Sequence, residues 1–165
     1  MKVLVLSDSH SGLHFMRLCI QKVKPDAVIH LGDFYDDGYA MSEENPGIPF
    51  YLLAGNCDYS RFSPCKTEIL QETIGGVRFY MTHGHTHNVK MGTRMLLMDA
   101  IRENADVALY GHTHFSDCHQ ESNGIWVMNP GTCRSDSGSV GLIQLEHGKV
   151  IKCQILTLSK LEELL

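Results

Sequence analysis

Apolar positions along the chain come in short runs and in stripes at helical spacing, and their alternation outlines a fold. Residues 2–7 form a β-branched apolar run closed by polar residues, which predicts a buried strand. Leu13, Met16, Ile20 and Val23 then recur at helical spacing, and Pro25 predicts the end of that helix. Residues 27–31 read as a second strand and 50–54 as a third. Between them, 34–47 is rich in Asp, Glu and Gly and reads as a polar loop whose Asp36, Asp37, Glu43 and Glu44 face solvent. Strand–helix–strand–loop–strand is a βαβ-type beginning.

The second half is patterned differently. Residues 66–73 and 77–82 flank Gly75-Gly76, which predicts a hairpin. Met91, Met95, Met98 and Ile101 mark a helix whose stripe is expected to be core or an interface. Strands follow at 107–110, 125–129, 140–146 and 150–158, the last two joined at His147-Gly148. A two-sheet sandwich flanked by helices fits this order better than a purely doubly wound sheet. No repeat, low-complexity stretch or linker interrupts the 165 residues, so one domain over 1–165 is expected.

Composition narrows the function classes. Lys plus Arg is 14 against 19 for Asp plus Glu, a net charge of −5 that argues against coating nucleic-acid polymers or anionic membranes. The apolar runs fall far short of the ~18 residues of a membrane span, and the N-terminal run is too short for a signal peptide, so a cytoplasmic protein is expected. The 6 cysteines contain no Cys-x-x-Cys pair, which leaves a zinc-sensing or redox protein without its expected spacing. Cys19 and Cys153 sit in apolar contexts that suggest core.

The functional signal lies where strands end. Five strands run at once into metal-capable residues: Asp8 and His10, then Gly32-Asp33, Gly55-Asn56, His83-Gly84, and Gly111 with His112 and His114. Ligands of open α/β sheets collect outside the carboxyl ends of strands. Each residue alone is more often a turn former or a satisfied polar group, but turn chemistry does not require His at three of five ends. Asp, His and Asn donors without thiolate suit a catalytic divalent ion and fit a closed structural zinc site poorly. They also exceed the needs of one open site, and two ions about 3.5–4 Å apart, bridged by one carboxylate and a hydroxide, would use them all.

The same motifs, Asp8-Ser-His10, Gly32-Asp33, Gly55-Asn56-Cys57-Asp58, His83-Gly84 and Gly111-His112-Thr113-His114, resemble in order and spacing those of the calcineurin-like metallophosphoesterases. Asn129-Pro130-Gly131 resembles a motif of the small bacterial and archaeal phosphodiesterase branch called YfcE-like. The resemblance implies a four-layer α/β/β/α sandwich of two mixed sheets flanked by helices. It further implies two divalent ions, Mn²⁺ by expectation with Fe²⁺, Zn²⁺ and Ni²⁺ as alternatives. Asp8, His10, Asp33 and His114 would hold the first; Asp33, Asn56, His83 and His112 the second. Asp33 would bridge, and a hydroxide between the ions would attack the phosphorus of a small phosphate ester. Asn56, His83 and His85 are the residues expected to serve the reaction directly, Asn56 by giving its carbonyl to metal and its amide to a phosphate oxygen.

Cys57 departs from the wider superfamily, many of whose members carry His there, but is compatible with the YfcE-like branch. A thiol is a weak donor, so the departure puts a general-acid step and broad monoesterase activity in doubt. His85 is the better candidate than His87 for touching substrate. Arg61 and Arg134 are candidates for phosphate contact, with plain surface positions as the commoner outcome. His14, His30, His119 and His147 are left as structural or surface residues. The alternatives to a phosphodiesterase are a phosphomonoesterase or nucleotidase, and a non-catalytic scaffold similar to the retromer subunit, against which the intact donor set speaks. Self-association through the Met-rich helix or Leu161, Leu164 and Leu165 stays open.

Overall fold

The computed structural model describes residues 1–58 and 67–163, and builds two five-stranded mixed sheets. The first runs β10–β9–β1–β2–β3, from β1 (Lys2–Leu6), β2 (Ala27–His30), β3 (Phe50–Leu52), β9 (Ser139–Glu146) and β10 (Lys149–Thr157). Its β1, β2 and β3 are parallel, and the β9–β10 hairpin returns to pair antiparallel with β1. The second runs β4–β5–β6–β8–β7, from β4 (Ile69–Ile74), β5 (Val77–Thr82), β6 (Val107–Leu109), β7 (Asp117–Gln120) and β8 (Trp126–Asn129).

Central strands are apolar on both faces because both faces are covered. Val3 and Val5 of β1 pack into the layer between the sheets with Phe79, Met81, Val107, Leu109 and Ile143. Leu4 and Leu6 point the other way, into a second core with Phe15, Met16, Cys19 and Ile20 of α1 (Leu13–Val23). The outer face of the second sheet, through Tyr80, Ala108 and Val127, meets Leu96 and Ala100 of α3 (Arg94–Arg102). The four-layer sandwich is therefore present, and its parallel strands point their carboxyl ends toward one rim.

Four expectations need correction. Residues 34–47 are not a loop: α2 (Tyr35–Glu44) occupies most of them. Its buried positions are Asp37, Gly38 and Met41, an acid, a glycine and one methionine, so hydropathy carries no stripe. Gly38 is needed there, since a Cβ would come within 3.0 Å of the His30 ring and Leu52. Asp37 is buried rather than solvated. The polar strand β7 went unforeseen, as did α4 (Leu158–Glu162), whose Leu161 is wholly buried and so is not a contact surface. The Met stripe is not core: Met91 precedes α3 in a 3₁₀ turn, and Met91, Met95, Met98 and Ile101 are exposed while Leu96 and Ala100 take the buried face. Leu164, Leu165 and the predicted strand start at Lys66 lie outside the described residues, and among the described residues no helix is long and apolar enough to cross a membrane.

Candidate metal centre

At the rim, β1 delivers Asp8 and His10, β2 delivers Asp33, and the turn after β3 delivers Asn56. From the second sheet, β5 delivers His83 and β6 delivers His112 and His114. Five of these seven residues, Asp8, His10, Asp33, His112 and His114, hold positive φ between 42° and 68°. Such backbone is unfavourable for non-glycine residues and gathers at functional sites.

One ligand-capable atom from each of Asp8, His10, Asp33 and His114 lies within 4.8 Å of the others. Asp8 is fully buried and divided in its duties. Its Oδ2 accepts from Ser7 Oγ at 2.6 Å and from the His112 amide at 3.1 Å. Its Oδ1 has no hydrogen bond, although His114 Nε2 stands 3.1 Å away. His10 Nε2 is likewise buried without a hydrogen-bond partner, 3.8 Å from Asp33 Oδ2. Buried polar atoms left unpaired are costly, and a cation satisfies both at once.

His83 gives the same indication from the other side. Its Nδ1 faces the Leu31 carbonyl at 2.9 Å and so carries the proton. That leaves the Nε2 lone pair facing Asn56 Oδ1 at 3.1 Å, Asp33 Oδ1 at 3.4 Å and Asp8 Oδ1 at 3.9 Å. A proton on Nε2 could serve one of these oxygens; a divalent cation serves them together. Burial opposes ionisation of Asp33, but the Cys57 N–H, 2.9 Å from Oδ1, helps to outweigh it, and the carboxyl is held below its usual range. Burial lowers the basicity of His112, which keeps its lone pair available at neutral pH. The hard-oxygen and imidazole donor set, its orphaned atoms and its ionised carboxylate fit a divalent metal centre.

Groups that are not donors hold this geometry. Gly32 N–H donates to His30 Nδ1, His30 Nε2–H to Ser9 Oγ at 3.0 Å, and Ser9 Oγ–H to Asp37 Oδ2 at 2.8 Å. Asp37 Oδ2 also accepts the Ser11 amide at 2.7 Å, so α2 clamps the loop bearing Asp8 and His10. Asn129 Nδ2 donates to the Gly111 carbonyl and to Thr113 Oγ1, while its Oδ1 accepts the Gly131 amide, which explains the Asn129-Pro130-Gly131 motif as a lock on the His112–His114 loop. A Cβ on Gly111 would strike Ser7 Oγ and Asp8 Oδ2.

The remaining candidates divide. The His85 ring lies 5.5 Å from that of His83 and 6.1 Å from that of His112, and its Nε2 is 3.6 Å from Glu68, a neighbour that sequence reasoning missed. His87 does not reach the site: it is buried against Tyr80 Oη at 3.0 Å and Asp99 at 3.2 Å. His30 is structural. Cys57 is exposed, and partial burial followed by the adjacent Asp33 pushes its thiol up to about 11, so it stays protonated at neutral pH. Arg134 is exposed, and Arg61 lies outside the described residues.

Comparison with known proteins bears on family and fold. Residues 1–148 match the calcineurin-like phosphoesterase superfamily domain. A probable metallophosphoesterase of Mycoplasma pneumoniae is 35% identical over 136 residues, covering 79% of this chain and 78% of its own. The phosphodiesterase MJ0936 of Methanocaldococcus jannaschii is 30% identical over 151 residues, covering 81% and 84%. The crystal structure of a Streptococcus pneumoniae protein described as a predicted phosphoesterase superposes with a TM-score of 0.75 at 26% identity, covering 96% of this chain and 90% of the other. By fold, by the match along most of its length and by the donors at its sheet rim, the chain belongs to the calcineurin-like phosphoesterase superfamily.

Proposed function

We propose that the protein is a metal-dependent phosphodiesterase acting on a small phosphate ester, with residues 1–165 working as one domain. The observation that carries this is the convergence of Asp8, His10, Asp33 and His114 donor atoms within 4.8 Å, with Asp8 Oδ1 and His10 Nε2 buried and unpaired. The relative from Methanocaldococcus jannaschii, named a phosphodiesterase, supports the diester reading. Asp8, His10, Asp33 and His114 would hold one ion and Asp33, Asn56, His83 and His112 a second, with Mn²⁺ the expected metal. When bound, such ions lower the pKa of water and neutralise charge building on phosphoryl oxygens. Asp33, held in its ionised form, would serve both ions. His83 keeps Nε2 turned inward through its bond to Leu31. The Asn56 amide can donate to a phosphate oxygen, which a carboxylate could not do. The Cys57 thiol, protonated with its pKa at about 11, is a poor acid for the leaving group.

The test is to strip the protein with chelator and reload it with Mn²⁺, Fe²⁺, Zn²⁺ or Ni²⁺. Hydrolysis of a diester and a monoester sharing one aryl leaving group is then measured. Activity should track two equivalents of metal and favour the diester. Metal-independent hydrolysis, or none with any ion, would overturn the proposal; a monoester preference would make it a phosphomonoesterase.

A further inference from the structure

The mouth of the centre gathers aromatic rings as well as donors. Phe34 directly follows Asp33, and Phe115 directly follows His114. The Phe34 ring meets the His10 ring edge-on with centroids 4.9 Å apart, and the His10 ring lies 5.2 Å from that of His114. Phe34, His10 and His114 thus form a row of rings along the side of the first candidate ion, and Phe115 continues the His114 loop. Both phenylalanines are exposed, Phe34 by 39% and Phe115 by 80%. Among the described residues, the side of the second candidate ion is polar instead, lined by Asn56, His112 and the His85–Glu68 pair.

Neither residue sits on slack backbone. Phe34 sits at φ 67°, in left-handed backbone that disfavours a side chain, and caps α2. The Phe115 amide donates to Thr113 Oγ1 at 3.2 Å, and that oxygen also accepts from the buried Asn129 at 2.9 Å. A phenyl ring on ordered backbone gains apolar contact from a planar ligand while little backbone freedom remains to be lost. Among the described residues, exposed phenylalanines directly follow Asp33 and His114 of the first candidate ion, and none directly follows Asn56, His83 or His112 of the second.

We propose that Phe34 and Phe115 form a subsite for a planar aromatic substituent, so that the favoured substrate is a phosphodiester carrying at least one aromatic group. The proposal rests on the phosphodiesterase reading for where phosphorus sits. Phosphorus would lie over the donors, the aromatic substituent against the phenylalanine side, and the other substituent toward Asn56 and His85.

Binding is tested on metal-reconstituted protein by calorimetry with phenylphosphonate and methylphosphonate, which share a head group and are not hydrolysed. The phenyl compound should bind about tenfold more tightly. Phe115→Ala and Phe34→Leu should each reduce that ratio, and the double variant should bring it close to one, with metal content measured on every variant. A ratio near one in the wild type, or a ratio that survives both substitutions, would overturn the subsite. Kinetics separate this from the underlying reading. As competitive inhibitors of p-nitrophenyl methyl phosphate hydrolysis, phenylphosphonate should have an inhibition constant about tenfold lower than methylphosphonate. Equal inhibition constants, with the diester hydrolysed, would sink the subsite and keep the phosphodiesterase. No hydrolysis of the diester, with the calorimetric phosphonate ratio intact and sensitive to Phe115, would sink the phosphodiesterase and keep the subsite.

Discussion

Asp33 is the residue on which the two candidate ions depend together, with one oxygen near His10 and the other near His83. Asp33→Asn should drop bound metal below two per chain and reduce turnover by orders of magnitude, while the strands behind the rim keep the fold. Elemental analysis with circular dichroism checks both parts. His83 and His85 should separate cleanly: His83→Ala loses metal, and His85→Ala retains it while weakening catalysis. Equal metal loss in both would reassign His85 as a ligand. At Cys57, Cys57→Ala should keep diesterase activity within about tenfold, because little acid assistance is there to lose. Cys57→His should flatten the dependence of kcat/KM on leaving-group acidity across aryl and alkyl diesters. The convergence of the candidate donors was legible because Asp, His and Asn follow apolar runs closely. Glu68 and Asp37 were not, since their partners His85 and Ser9 lie 17 and 28 positions away in the chain and nothing local marks the pairing.

Helix α2 shows why an element can be invisible to hydropathy yet required by the site. Its inward face is Asp37, Gly38 and Met41, and its main polar contact is the relay through Ser9 to His30. That relay makes a pH prediction. Burial, with some opposition from neighbouring Asp33, pushes the His30 imidazole down to about 3, against about 6.5 when exposed in the unfolded chain. As pH falls below about 6.5 the unfolded state takes a proton that the native state refuses. Stability is therefore lost toward acid, approaching about 1.4 kcal/mol per pH unit between those two values. Denaturant titrations of metal-free protein at pH 7, 5.5 and 4.5 should show this loss, and His30→Asn should flatten it. Equal slopes in both proteins would show that His30 is not the group responsible. The strands β1, β2, β5 and β6 were legible because apolar runs of that length, covered on both faces, need no alternation. The edge strand β7, with Asp117, His119 and Gln120 among its four residues, carries no such run and takes its place only by pairing with β8.

At the scale of the molecule, Asp8, His10, Asp33 and Asn56 come from the first sheet and His83, His112 and His114 from the second, so any ion held by both sets ties the layers together. Chelation should therefore lower the melting temperature. An ion present at a hundred times its Kd adds about 2.7 kcal/mol, which is roughly 5–10 °C for a chain of this size. Calorimetric scans before and after chelation check this; an unchanged midpoint would mean that the donors do not hold metal across the layers. The two-sheet architecture was legible from strand order, but the exposure of Met91, Met95 and Met98 was not. Helical spacing marks an apolar stripe without saying which of two apolar faces the sheet will cover, and here Leu96 and Ala100 won that place.

The position of β9 carries a consequence for synthesis. This strand lies between β1 and β10, so β1, which delivers Asp8, lacks one of its two neighbours until residues 139–146 have been made. A chain still on the ribosome and lacking that strand would already contain every candidate ligand, yet one side of β1 would have no partner strand. The candidate ligands are thus translated well before the sheet that aligns them is complete, and metal capture during synthesis should coincide with the arrival of the β9–β10 hairpin rather than with that of His114.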